Sequence, residues 1–290
     1  MLAYYELTNG CNCRCPHCFV TELDRENPTH KSFPDITADF SRLRELGVDR
    51  IVLSGGEPTL RFTLPEIVQY ARTIFKQVNV LSNCSNPDAL QKIVNIAIVW
   101  VSIDYFGYRQ DEWRGFKGLW DNYLKLSKNV NIRSTLMKDN LADIKQLVKL
   151  AYKNDKQITI APYRGNKSFS PTAQDLISLT TMIVNEGYQT AVIDDPSVRA
   201  FINSYTGLAT FVGCEACQTT LRVKINGKVT PCPFLSQEIC DLYDLDIKNK
   251  LTLARINLLS SFTENCVCCD KKQTCGGCKA STNTHCPVNL

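Results

Sequence analysis

Cys11, Cys15 and Cys18 are spaced C-x3-C-x2-C directly after an apolar run, Ala3–Leu7. Thiolates are soft ligands for iron and zinc, and three of them are one short of a closed tetrahedral zinc site. A cubane [4Fe–4S] cluster held by three cysteines keeps one iron free for another ligand. A zinc loop would instead need Cys13 or His17 as its fourth donor. A second group of cysteines lies toward the other end. Cys217, Gly227 and Cys232 read C-x9-G-x4-C, or C-x12-G-x4-C when counted from Cys214. Cys266-x2-Cys269-x5-Cys275-x2-Cys278 follows, and then Cys286. Two residues between cysteines let both sulfurs face one metal, so each C-x2-C is a chelating knuckle. Two four-cysteine zinc sites and two closed iron–sulfur clusters both suit these spacings.

The protein that carries them has 290 residues, 15 cysteines, 3 histidines and a formal net charge of +4; 44% of residues are hydrophobic and 21% charged. These proportions belong to a globular protein able to bury one large core or two modest ones. A charge of +4 with no run of like charges argues against nucleic acid or an anionic membrane as partner. The first residues lack a basic segment, and Glu6 stands where a signal peptide would be apolar. The longest apolar stretches, such as Ile93–Val101, are too short and too polar to cross a bilayer. With no export signal, a reducing cytoplasm is the expected compartment and metal binding the expected use of the thiols.

The elements that must position the cysteines alternate along the sequence. Apolar or β-branched runs at Ala3–Leu7, Arg50–Leu53, Val78–Leu81, Ala97–Ile103, Ile132–Met137 and Gln157–Ala161 read as strands. Between them, Ile36, Phe40, Leu43 and Leu46 (ended by Gly47), and Ile144, Leu147, Val148 and Ala151, fall at helical spacing; Leu176–Val184 follows the last strand. About six β-α units favour a parallel sheet and predict an α/β fold, a partial (β/α)6 TIM-type barrel with its site at the C-terminal strand ends. Near Thr210 the composition changes. Leu221–Ile225, Asn226-Gly227 and Lys228–Thr230 predict a hairpin with a two-residue turn, and Leu251–Phe262 a short helix. The cysteine-rich tail has too little apolar content for its own core and must be held by what its cysteines bind. The expected domains are therefore 1–209 and 210–290.

C-x3-C-x2-C with His17 before the last cysteine resembles the radical S-adenosylmethionine (SAM) superfamily, and Ser54-Gly55-Gly56-Glu57-Pro58 after the second strand resembles that family's Gly-Gly-Glu element. The resemblance covers about residues 3–185. It implies a [4Fe–4S] cluster on Cys11, Cys15 and Cys18, with SAM bound at the open iron. One electron from the reduced cluster then cleaves the sulfonium bond, and a 5′-deoxyadenosyl radical abstracts hydrogen from an unactivated C–H. Glycines let backbone carbonyls approach a ligand closely, and Glu57 can accept from an ammonium group; the resemblance implies that this element binds the methionine amino group. Asn83, after Ser82 at the third strand end, Ser102 and Asp104 at the fourth, and Arg133 in the fifth occupy positions that lie near SAM in relatives. Cys84 follows the third strand on the same face and is a candidate hydrogen donor to the substrate.

The C-terminal cysteines resemble the SPASM domain appended to many radical SAM enzymes, although Cys275-Gly-Gly-Cys278 is one residue shorter than the usual spacing. The resemblance implies two auxiliary [4Fe–4S] clusters, one on Cys214, Cys217, Cys232 and Cys278, the other on Cys266, Cys269, Cys275 and Cys286. Cys13, Cys84, Cys240 and Cys268 remain; Cys268 could substitute for Cys269.

The leading expectation is an enzyme that crosslinks, epimerises or oxidises a side chain of a ribosomally made peptide or protein. It would be served by an electron donor such as flavodoxin or ferredoxin. The sequence begins almost at the cluster motif, so the expectation is either a separate leader-binding protein as partner or direct recognition of the substrate. Pro233, where sulfatase-maturing relatives carry an acid after the G-x4-C cysteine, disfavours formylglycine formation. A small molecule such as a porphyrin or sugar is the alternative substrate, and a non-catalytic zinc-stapled binding protein the alternative of another class. The loop from Tyr105 to Gly115 follows the fourth strand at the expected substrate mouth; its aromatic and basic residues suit a peptide, and ordinary loop packing accounts for them more readily. No Ser-His-Asp grouping is available for hydrolysis.

Overall fold

The computed structural model describes residues 1–18, 27–165, 168–206, 213–261, 275 and 277–280. The strands are β1 (Leu2–Thr8), β2 (Arg50–Gly55), β3 (Gln77–Ser82), β4 (Ile98–Ser102), β5 (Asn131–Leu136), β6 (Ile158–Pro162), β7 (Ala191–Ile193), β8 (Thr220–Val223), β9 (Lys228–Thr230) and β10 (Cys240–Asp241). The helices are α1 (Phe33–Glu45), α2 (Leu64–Ile74), α3 (Pro87–Gln91), α4 (Arg109–Arg114), α5 (Leu119–Leu126), α6 (Leu141–Lys153), α7 (Ala173–Asn185), α8 (Pro196–Thr206) and α9 (Ile247–Ser260), with a 3-10 turn at Pro58–Leu60. The described residues form two compact units. The first draws on Met1–Ser102, Gly107–Asn131 and Glu215–Arg255; the second on Ile103–Phe106, Ile132–Cys214 and the residues from Ile256 on.

In the first unit β1–β4 are parallel neighbours in sequence order, and the antiparallel pair β8–β9 joins the other edge through a parallel β1–β8 pairing. Alternation sorts each strand. Ala3, Tyr5, Leu7, Ile51, Leu53, Val78, Val80, Val99 and Val101 are buried, which supplies most of the hydrophobic stabilisation. α1 begins where Ser32 Oγ accepts from Asp35 N at 3.2 Å and buries Ile36, Phe40 and Leu43. Phe40 meets Tyr5 edge-on at 5.2 Å and Phe75 at 5.3 Å. Gly47, with φ +88°, provides the left-handed residue just past the helix.

In the second unit β5, β6 and β7 run parallel. α6 buries Ile144, Leu147, Val148 and Ala151, as their spacing predicts. α7 opens with a reciprocal box: Thr172 N donates to Asp175 Oδ2 at 2.7 Å, and Asp175 N to Thr172 Oγ1 at 3.1 Å. The six predicted strands and the strand–helix alternation of a partial barrel are present. β7 is an addition: three residues, too short for a periodicity to register.

The hairpin is present with a different turn. Lys224 N donates to Lys228 O and Gly227 N to Lys224 O, both at 2.9 Å, and Gly227 (φ +80°) alone of Asn226-Gly227 is left-handed. This is a longer loop closed by a bulge, not the two-residue turn expected. Its reason lies outside the hairpin: Glu6 Oε2 accepts from Ile225 N at 2.8 Å. Glu6 also pairs with Arg222, whose Nε donates to Glu6 Oε1 at 2.8 Å and whose Nη2 bonds the same oxygen. The segment after β10 is tied to α1 by Arg42 donating to the Leu242 and Asp244 carbonyls at 3.2 Å. Tyr243, Tyr5 and Lys31 meet on the buried Asp39 carboxylate. No helix among the described residues is long and apolar enough to cross a membrane.

Candidate functional site

β1 ends in the loop that holds Cys11, Cys13, Cys15 and Cys18, all free thiols. Cys11, Cys15 and Cys18 are half-buried, Cys13 is buried and Arg14 is exposed. Cys18 N donates to Cys15 O at 3.1 Å, a tight turn over the C-x2-C step. Among the described residues no three His, Cys, Asp or Glu side chains meet as a closed metal cage. The donor chemistry nevertheless fits an iron–sulfur cluster: partly buried soft sulfurs on a loop lined by hydrogen-bond donors, with the positive Arg114 at its side.

The Gly-Gly-Glu element packs directly beneath this loop. Gly56 N donates to Thr8 O at 2.7 Å and Glu57 N to Gly10 O at 2.8 Å. A Cβ on Gly55 would stand 2.0 Å from Thr8 O, and one on Gly56 2.0 Å from Gly10 O. The glycines are thus required by close approach of the β2 end to the cysteine loop. Glu57 is likewise engaged within the protein. Its carboxylate is fully buried and accepts from Thr59 N, Thr59 Oγ1 and Ser82 Oγ at 3.0, 2.6 and 2.8 Å, and from Asn83 N at 2.6 Å. Burial raises its pKa, and these hydrogen bonds offset part of the rise. Glu57 braces the ends of β2 and β3, and Pro58 starts the 3-10 turn beside it.

The β3 end turns back to the loop through Asn83. Its Nδ2 donates to Cys13 Sγ at 3.0 Å and to Asn12 Oδ1 at 2.9 Å, and lies 3.8 Å from Cys11 Sγ. Cys84 adopts φ 67°, a rare conformation for a residue that bears a side chain. It is held by Ser82 Oγ accepting from its N–H at 3.0 Å and by Asn122 Nδ2 donating to its carbonyl at 3.1 Å. The thiol is fully buried, and burial together with the Glu57 carboxylate pushes its pKa up to about 12. Cys84 presents no face to solvent. Iodoacetamide at pH 8 is therefore expected to label Cys84 about 1000-fold more slowly in the folded protein than in urea, in proportion to the thiolate fraction. Peptide mapping by mass spectrometry checks this, and comparable rates would contradict the buried placement.

The aromatic, basic run after β4 does not present itself as an open mouth. Tyr105 and Arg114 are buried, while Tyr108 is exposed. Trp113 stacks on His17 at 5.7 Å and donates from Nε1 to His17 Nδ1 at 2.8 Å. Arg114 Nη1 points to Cys15 Sγ at 3.6 Å, and its carbonyl accepts from Arg14 N at 2.8 Å. Trp113 and Arg114 are the contributors whose role the sequence did not reveal; the Trp-Arg-Gly end of that run was the available signal.

The remaining predicted residues divide between the units. Ser102 lies half-buried at the β4 end, its carbonyl accepting from Gln110 Nε2 at 2.8 Å. In the second unit Asp104 is buried, accepting from Thr135 N at 2.8 Å, and Arg133 is paired with Asp194 at 2.9 Å. Cys217, at φ 57°, donates from its N–H to Thr220 O at 2.9 Å and Pro231 O at 3.2 Å, so the hairpin draws it against the residue before Cys232. Cys214 and Cys278 are near enough for their charges to interact, beside Arg164, which forms a buried ion pair with Asp195 at 3.0 Å. Cys275 is buried and Cys240 lies in β10. Cys266, Cys268, Cys269, Cys286 and the expected boundary at residue 210 lie outside the described residues.

Against known proteins, Fe-coproporphyrin III synthase of Methanosarcina barkeri (strain Fusaro) is 30% identical over 151 residues, covering 48% of this chain; the match spans only 38% of that protein's length. The sporulation killing factor maturation protein SkfB of Bacillus subtilis (strain 168) is 22% identical over 291 residues, 92% of this chain and 68% of that one. Among solved structures, Streptococcus suis SuiB bound to its precursor peptide SuiA superposes with a TM-score of 0.76 at 17% identity, covering 100% of this chain and 76% of that chain. At that identity the likeness carries the fold. A family model described as the radical SAM superfamily matches residues 5–159. With that match spanning more than half of its length, and the three-cysteine loop and Gly-Gly-Glu element packed together at its strand ends, this chain belongs to the radical SAM superfamily.

Proposed function

We propose that this enzyme cleaves SAM reductively and uses the 5′-deoxyadenosyl radical to abstract hydrogen from a C–H bond in a ribosomally made peptide or protein. A [4Fe–4S] cluster bound by Cys11, Cys15 and Cys18 supplies the electron, delivered from a donor such as flavodoxin or ferredoxin. The protein's own residues bind and orient. Asn83 steadies the cysteine loop from the β3 end, Glu57 locks β2 to β3, and Gly55 and Gly56 allow the layers to close. The C-terminal cysteines are assigned to two auxiliary clusters, as their resemblance to the SPASM domain implies.

One observation carries the substrate reading. Parallel sheets are ordinarily covered on both faces, yet β1–β4 keep one face half-open. Tyr4, Ser54, Leu81, Trp100 and Ser102 are half-buried there, and Ile98 is 40% exposed. An aromatic and amide-lined floor suits the side group of a peptide residue, with Trp100 Nε1 and Gln77 Nε2 both donating to Asn79 Oδ1 at 3.1 Å. SuiB, whose fold this chain matches over 76% of that chain, was solved with a precursor peptide bound, which points the same way. The 30% identity to Fe-coproporphyrin III synthase favours a second reading, a porphyrin substrate.

The test is anaerobic purification followed by incubation with SAM, a reductant and either candidate precursor peptides or iron coproporphyrin. About twelve irons per molecule are expected for three [4Fe–4S] clusters, with 5′-deoxyadenosine rising above the uncoupled background on peptide addition. A rise only with the porphyrin would replace the first reading by the second. A colourless protein holding about two or three zincs would overturn both.

A further inference from the structure

One charged group at the cysteine loop has no part in the chemistry proposed so far. Arg114 is 7% exposed, an expensive place for a guanidinium, and its Nη1 lies 3.6 Å from Cys15 Sγ. It is held there from several sides. The Arg114 carbonyl accepts from Arg14 N at 2.8 Å, which ties α4 to the residue just before Cys15. One residue earlier, Trp113 stacks on His17 within 13° of parallel and donates to His17 Nδ1. One residue later, Gly115 ends α4 at φ +60°, and a Cβ there would lie 3.4 Å from Arg14 Cβ. Three consecutive residues of α4 and its cap thus grip Arg14, Cys15 and His17, and the charge between them faces sulfur.

From this we infer that Arg114 is a positioning residue that sets the reduction potential of the cluster held by Cys15, with Trp113 fixing the loop against it. Accepting one electron adds one negative charge to a thiolate-ligated cluster. A fixed positive charge and an N–H···S hydrogen bond at a ligand sulfur stabilise the reduced form more than the oxidised form. Partial burial strengthens the effect because little water screens it. The result is a cluster that a weaker donor can reduce. This rests on the assignment of Cys11, Cys15 and Cys18 as cluster ligands.

The experiment is a potentiometric EPR titration of the full-length holoprotein as wild type, Arg114→Gln and Arg114→Lys, following the signal that changes when SAM is added. That response singles out the three-cysteine cluster among several. In Arg114→Gln the ratio of reduced to oxidised cluster at a fixed solution potential is expected to fall at least tenfold, a midpoint lower by about 59 mV or more for one electron. In Arg114→Lys, which keeps the charge, the ratio is expected to fall by less than about threefold. Unchanged midpoints with full iron content in Arg114→Gln would overturn the inference, as would a lysine variant shifted as far as the glutamine one. Should Arg114→Gln lose its iron, Arg114→Lys decides alone: under threefold supports the assignment and tenfold overturns it. A wild type with no SAM-responsive signal would instead refute the cluster assignment on which the inference rests.

Discussion

Gly56→Ala is expected to cost about 3 kcal/mol or more of stability and to strip the cysteine loop of most of its iron. Gly56 is not in the left-handed region, so its backbone conformation tolerates alanine. The obstacle is contact. The added carbon would sit 2.0 Å from Gly10 O, 2.5 Å from Gly10 C and 2.7 Å from Asn9 O. All three are backbone atoms of the loop leading into Cys11, and none can swing aside as the tip of a flexible side group could. Relief requires separating β2 from that loop, which breaks the Gly56 N to Thr8 O and Glu57 N to Gly10 O hydrogen bonds of 2.7 and 2.8 Å. Each is worth about 1 kcal/mol, and more if a buried group is left unpaired. Gly47→Ala is the control. Its φ of +88° strains an alanine, but no atom lies within 4 Å of the added carbon. It should cost only about 1 kcal/mol and leave iron binding intact. Urea unfolding and iron content after anaerobic reconstitution check both variants. Equal losses in the two would refute the packing account.

This contrast also marks what the sequence discloses. The cysteine spacing and the Gly-Gly-Glu element are local, so their residues could be named from the sequence alone. The six longer strands and the helices over Ile36–Leu43 and Ile144–Ala151 were legible because alternation and helical spacing repeat within one element. The reason for each motif was not legible. Gly56 is glycine because of Gly10, and Glu57 is buried because Thr59, Ser82 and Asn83 converge on it. Neither partner can be read from the motif itself. Trp113 and Arg114 reach back to His17 and Cys15 across almost a hundred residues, and no periodicity encodes such a pairing. The burial of Cys84, and with it the raised pKa of its thiol, is set by tertiary packing that its position at a strand end does not disclose. The hairpin turn was misread for the same physical reason: Asn-Gly favours a two-residue turn in isolation, and a tertiary contact from Glu6 selects another.

That contact carries the other large effect. Glu6→Gln is expected to destabilise the protein by about 3–5 kcal/mol. Both carboxylate oxygens are in use, Oε1 by Arg222 and Oε2 by Ile225 N at 2.8 Å. An amide in either orientation therefore sets its NH2 against a donor. The two partners' side groups are only 10% and 12% exposed, so little water can repair the mismatch, and the Arg222 charge stays buried without its partner. Arg222→Met alone leaves the smaller problem of a carboxylate still bonded by Ile225 N, although it also releases the 3.3 Å contact of Nη1 with Pro233 O. In the double variant the donor conflict with Arg222 and the unpaired cation are both gone. Its cost should consequently fall below the sum of the single losses by about 1–3 kcal/mol. Urea midpoints at constant m-value measure the cycle. Additive losses, or a Glu6→Gln cost below about 1 kcal/mol, would show that the pair does not clamp the hairpin. Because Glu6 holds β8 and the turn, and β9 leads straight into Cys232, a broken clamp should also lower iron content in step with stability, while a hairpin anchored by other contacts would leave the iron unchanged.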